Sequence, residues 1–252
     1  MKCAFSSFHA MVGVLTAIGG GSVAHAQTGL LNDTGQTSCY ISYYGTGQTV
    51  ACNDAANVGN GGYSPHQDGR YGRDVAAAAG QLTKTGGGVA GFDFTRICWN
   101  GAAEGAANCT GTLAANTTGT ADSASPATDW ACTRDNVTGL VWSLQTLGAM
   151  NWTAAQSATA NDNTNRRCGY SDWRLPIRRE LLNIVNNGGG SPAIDGNYFP
   201  ATRTTGYWST DVSRSYSNIA MGFVDYAWIV GFGDGGVDLP AQTDSNFVRL
   251  VR

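Results

Sequence analysis

The strongest constraint on this chain is an even set of six cysteines, Cys39, Cys52, Cys98, Cys109, Cys132 and Cys168, downstream of a segment built like an export signal. That segment opens with Lys2, runs through an apolar stretch from Ala10 to Ile18 and ends in Ala24-His25-Ala26, the small-x-small pattern of signal cleavage. Residues 1–26 are therefore expected to leave, taking Cys3 with them, and the mature chain to begin at Gln27 as a secreted, periplasmic or cell-surface protein. In an oxidising compartment an even cysteine set reads as disulfides. Among the fifteen pairings that six cysteines allow, sequence proximity favours Cys39 with Cys52 and Cys98 with Cys109. Cys132 is left to close a longer loop with Cys168. After the signal no run of eighteen apolar residues occurs, so no membrane span is expected in the mature chain.

The same arithmetic removes most catalytic chemistry. His66 is the one histidine outside the signal, and it sits in the turn-rich stretch Tyr63-Ser64-Pro65-His66-Gln67-Asp68-Gly69, where it reads as a solvated loop residue rather than a triad member. There is no H-E-x-x-H and no C-x-x-C, and Gly86-Gly87-Gly88 and Gly188-Gly189-Gly190 lack the lysine of a phosphate loop. No enzyme activity, metal or cofactor is expected. With 18 acidic against 15 basic residues the chain has no surplus of charge for gripping nucleic acid, which is excluded as a partner.

Composition changes near residue 128. Residues 27–128 are rich in Gly, Ala, Thr, Ser and Asn, with short strand-like pieces at Cys39 to Tyr44 and Gly91 to Ile97. Between Gly101 and Thr128 there is one leucine and no aromatic residue, the pattern of a linker or long surface loop. From residue 129 the tryptophans Trp130, Trp142, Trp152, Trp173, Trp208 and Trp228 recur, and most of the core is expected here. Asn151 is placed to cap a helix from Trp152 to about Thr159. Pro176 is placed to start a second one, whose stripe Ile177, Leu181, Ile184 and Val185 faces inward and which Gly188 stops. Arg178, Arg179 and Glu180 are then expected to face outward. From Tyr207 onward the period drops to two, giving strands around 207–210, 227–232 and 247–252. Helices first and antiparallel strands after predict an α+β domain over residues 129–252, preceded by a Gly-rich, loop-rich region with short strands.

Five blocks stand in order: Asp135-Asn136-Val137-Thr138-Gly139-Leu140-Val141-Trp142, Asn151-Trp152-Thr153-Ala154-Ala155, Gly169-Tyr170-Ser171-Asp172-Trp173-Arg174-Leu175-Pro176, Tyr207-Trp208-Ser209-Thr210 and Val248-Arg249-Leu250-Val251-Arg252. Together they resemble the C-terminal domain of bacterial collagen-like adhesins, the Lcl C-terminal domain family. That resemblance implies a C-type lectin-like fold, with two helices beside a twisted antiparallel sheet and loops that form a variable binding face. It also implies adhesion through glycans or sulfated glycosaminoglycans, hence a glycan or protein ligand at the cell surface. Family members often end in Val-Arg-Cys-Val-Arg, whereas this chain carries Leu250 in place of that cysteine.

A sulfated ligand needs arginines able to fork onto sulfate oxygens. Arg166, Arg167, Arg178 and Arg179 lie within fourteen residues and are the candidates, and Tyr216 and Tyr226 are the loop aromatics placed to stack on sugar rings. Residues 151–252 nevertheless hold nine arginines against nine acids, so the domain is neutral as a whole. The plainer reading is that Arg178 and Arg179 solvate a helix face, that Arg174 pairs with a buried carboxylate, and that Trp173, Trp208 and Trp228 pack in the core. Asn161-Asp162-Asn163-Thr164-Asn165 lacks the glycine and distal glutamate of an EF-hand and reads as a solvated turn. Two other functions compete with the adhesin: a structural surface or filament subunit, and an oxidase on the lectin-like superfold that would use Cys132 and Cys168, although fold sharing alone transfers no activity.

Overall fold

Asparagine, aspartate and glycine punctuate this chain so often that its regular elements are short, and long-range pairing rather than local propensity assembles them. The computed structural model describes residues 32–40, 49–50, 72–218 and 222–252; the expected signal peptide, Cys52 and His66 lie outside the described residues.

The described strands are β1 (Cys39–Tyr40), β2 (Thr49–Val50), β3 (Phe94–Cys98), β4 (Ala114–Ala115), β5 (Asp129–Asp135), β6 (Val141–Ser143), β7 (Leu147–Met150), β8 (Gly206–Asn218), β9 (Gly222–Gly231), β10 (Val237–Asp238) and β11 (Asn246–Val248). One sheet has the order β10-β9-β8-β11-β7, and in a second β5 is flanked by β3, β4 and β6. The chain is α+β as expected. Its sheets are mixed rather than antiparallel: β11 returns to insert between β8 and β7, running parallel to β8, and β4 runs parallel to β5. The terminal residues seam the two sheets together. Val251 exchanges backbone hydrogen bonds with Arg174 on one side, and Arg252 does so with Val141 on the other. Leu250, which precedes them, is buried in the core.

The described helices are α1 (Arg73–Ala78), α2 (Trp152–Ser157), α3 (Ala160–Thr164) and α4 (Arg178–Leu182). Helix α2 begins where the sequence places it, with the Asn151 side chain accepting a hydrogen bond from Ala154 N–H, and its inward residue Ala155 is fully buried. Helix α4 is one turn shorter than its apolar stripe. Its end winds up through i→i−3 bonds at Asn183, Ile184 and Val185, which still bury Leu181, Ile184 and Val185. Glu180 does not face outward as expected: it is buried, accepts a hydrogen bond from Ile177 N–H at the helix start, and takes two from Arg174 at 2.8 and 2.6 Å. Arg174 therefore does pair with a buried carboxylate.

Packing continues upstream of residue 128. Strand β3 pairs antiparallel with β5 from Phe94↔Asp135 to Cys98↔Trp130. Phe92 and Phe94 share a core with Trp142, Leu181, Phe199, Tyr207 and Phe232, and Ile97 shares another with Trp173, Trp208 and Leu250. Two disulfides match the proximity argument. Cys98 joins Cys109 and Cys132 joins Cys168, the second tying β5 to the turn at Arg167–Gly169. Cys39 is also disulfide-bonded.

Candidate functional site

The four candidate arginines come from two places in the fold, and they do not converge. Arg166 and Arg167 belong to the tight turn that follows α3. Arg166 and Cys168 both adopt φ of 50°, left-handed backbone that is uncommon for residues with a side chain. The turn drives Arg167 inward, where its side chain is fully buried. Its Nε lies 2.9 Å from Asp162 Oδ1, its Nη2 donates to Thr118 O and to Gln145 Oε1, and its guanidinium lies 4.6 Å from the centre of the Trp99 ring. A fully buried cation already paired with Asp162 cannot meet a glycan, so Arg167 is removed from the candidate ligand residues. Arg166 remains exposed, with one bond from Nη2 to Gly169 O.

Burial pushes the Asp162 carboxyl up and the Arg167 guanidinium down, with their mutual attraction acting against both shifts. The short Nε–Oδ1 distance is that of an ion pair without an aligned hydrogen bond. The polar run around Asp162 is thus no solvated turn. It forms α3, whose Asn161 and Asn165 donate to Gly119 O and whose Asn163 grips the Trp173 backbone at both N–H and C=O.

Arg178 and Arg179 start α4, which packs against β8 and β9. Asp211 of β8 accepts the Arg178 backbone N–H, fixing the helix start to the sheet. The Arg178 guanidinium then lies over the face of Trp228 in β9, 4.3 Å from the ring centre. Among the described residues that guanidinium has no hydrogen-bond or ion-pair partner, so its N–H donors remain open. Arg179 beside it is exposed. Trp173 and Trp208 are core residues as expected, but Trp228 is half-buried and belongs to neither core cluster. Treating every tryptophan in a strand as core missed it. The available signal was strand parity: Tyr226 and Trp228 share one face of β9, while Ala227 between them is fully buried on the other. Tyr226 sits on that face opposite Ser213, half-buried, its carbonyl accepting from Gln242. Tyr216 pairs through its backbone with Phe223 farther along the hairpin, and its side chain lies outside the described residues.

Arginines elsewhere serve the fold. Arg249 is fully buried without a carboxylate, donating to Ser143 O, Thr146 Oγ1 and Thr202 Oγ1, and burial lowers its pKa. Arg252 stacks 3.9 Å from the Tyr170 ring centre and forks onto Asp172.

Comparison with known proteins places the matched part of the chain at the segment expected from its sequence blocks: residues 131–252 match the family described as the Lcl C-terminal domain. No curated protein matches the chain.

Proposed function

Residues 131–252 belong to the Lcl C-terminal domain family, and from that premise we propose that this protein is an exported, non-catalytic adhesin-type binder whose ligand is a sulfated or otherwise anionic glycan. The observation that carries the proposal is the open guanidinium of Arg178, seated over the Trp228 ring with its carbon 4.3 Å from the ring centre. A planar fork free of a carboxylate is the group that recognises sulfate, and an aromatic beside it restricts the side chain and lowers the entropy lost on binding. Tyr226 shares the Trp228 face of β9, and the exposed Arg179 follows Arg178 in α4. The disulfides support export, and among the described residues no helix is long and apolar enough to cross a membrane. The Cys132–Cys168 bridge consumes both sulfurs that an oxidase would use as paired thiols, which supports a binder over an enzyme. Helices α2 and α4 beside mixed sheets fit a C-type lectin-like variant, a reading that crystallography of the ligand complex would test.

Retention on a heparin column tests the proposed function. Arg178→Ala and Arg179→Ala are expected to elute at lower salt than the parent protein, additively, because each removes a charge that exchanges with counterions. Equal elution of the double variant and the parent would refute the proposal.

A further inference from the structure

A second recognition feature lies outside the family-matched segment. Residues 114–129 surround an open hollow of about 330 Å³, at the small end of the range for small-molecule sites. The sequence reads as a featureless linker here, yet the loop is anchored from three directions. Asn116 Nδ2 donates to Thr120 O and to Asp129 Oδ1, Asn161 and Asn165 donate to Gly119 O, and Arg167 donates to Thr118 O. Bonds within the loop from Asn116 and from outside it by Asn161, Asn165 and Arg167 order it together, and order before binding spares a ligand that cost.

The lining specifies the ligand. Ala114, Ala115 and Ala121 present small apolar surface. Asp129 is buried and committed, Oδ1 accepting from Asn116 and Oδ2 from Asp122 N–H. Asp122 Oδ1 accepts from Ala124 and Ser125 N–H. Among the described residues, Asp122 Oδ2 and the Thr120 hydroxyl are left without partners. One strong acceptor and one group that both donates and accepts, beside methyl groups, suit adjacent hydroxyls and the C–H face of a sugar ring. Asp122 and Asp129 are the charged residues that line the hollow, so a polyanion is repelled, while a bare cation finds a single uncommitted carboxylate oxygen.

We infer that this hollow is a subsite for one neutral pyranose unit of a glycan, independent of the Arg178–Trp228 face. The full mature chain is titrated with D-glucose, D-galactose, D-mannose and N-acetylglucosamine at millimolar concentrations, with amide shifts as the readout. At least one sugar is expected to give saturable shifts at Thr120 and Asp122 that persist in high salt and in chelator. Asp122→Asn and the hollow-filling Ala121→Trp should each weaken it by about tenfold, the loss of one charge-assisted bond or of the space itself. Arg178→Ala should leave it unchanged while losing heparin retention, so this subsite and the anionic face fail separately. No saturable response to any of the four sugars, shifts confined to other residues, or the same shifts from calcium chloride alone would each overturn the inference. Unchanged sugar binding by both variants, each shown folded by its thermal melt, would overturn it as well.

Discussion

Asp162 and Arg167 form an ion pair 2.9 Å apart whose side chains are 2% and 0% exposed, and this pair supports the turn that closes the Cys132–Cys168 bridge. Two charges so buried cost several kcal/mol to desolvate, and their attraction offsets that cost only while both are present. Asp162→Ala leaves an unpaired buried cation. It is expected to lower unfolding free energy by about 3–5 kcal/mol in denaturant titration. The paired replacement Asp162→Leu with Arg167→Met is expected to recover most of that loss. It also deletes the bond to Thr118 O, so amide exchange in residues 116–122 should accelerate even in the recovered protein. A double variant no more stable than Asp162→Ala would show that the pair is not the source of the cost.

The family-matched segment is not expected to fold alone. A fragment of residues 131–252 lacks Phe92, Phe94 and Ile97, each nearly or fully buried, and the whole β3 side of β5. At about 1.5–3 kcal/mol for each large apolar side chain, their loss approaches the total stability of an ordinary domain. Residues 131–252 should therefore give a poorly dispersed NMR spectrum, whereas a fragment from residue 72 to 252, which restores β3, should be dispersed and melt cooperatively. A cooperative melt from the shorter fragment would contradict this.

Local chemistry made part of this structure legible in advance. Asn151 as a cap, the apolar stripe of α4, the strand periods after Tyr207 and two cysteine pairings follow from rules that act over a few residues or over chain distance. The missed features depend on partners far away in sequence. Glu180 turns inward because Arg174 and the Ile177 N–H meet it there, and β11 runs parallel because the chain returns between β8 and β7. At the candidate site, Arg167 and Arg178 are chemically identical within one arginine-rich stretch. The left-handed turn at Arg166 and Cys168 sends Arg167 into the core, and the anchoring of α4 to Asp211 leaves Arg178 on Trp228.

The two described bridges should contribute unequally. Cys132–Cys168 spans 36 residues and Cys98–Cys109 spans 11, so the first restricts the unfolded chain more. Removing the longer bridge by Cys132→Ser with Cys168→Ser is expected to cost about 3–4 kcal/mol, and removing the shorter one by Cys98→Ser with Cys109→Ser about 2–3 kcal/mol. Melting temperatures in matched buffer check the order. A reversed order would mean that the loop tied by Cys98–Cys109 contributes native packing beyond its loop length.

Acid sensitivity should be traceable to Asp93. Burial alone would raise its pKa, but hydrogen bonds from Asn136 and from the Thr85 and Gly86 N–H groups, with the charge of Arg73, hold it below the usual value of 3.8. A carboxylate whose folded pKa is lowered adds stability that is present above its unfolded pKa and is lost as pH falls through the folded value. Asp135 and Asp162 act in the opposite sense, because burial raises both, so their protonation on acidification favours the folded state. Asp93→Asn removes the first contribution and leaves the other two. At neutral pH it is expected to cost about 1–3 kcal/mol, since the amide cannot accept all the bonds the carboxylate takes. The gap between variant and parent should stay constant down to about pH 4 and then narrow, as the parent loses by protonation what the variant has already lost. Urea titrations from pH 7 to pH 2.5 measure that gap, and one that stayed constant or widened below pH 4 would place the acid sensitivity elsewhere.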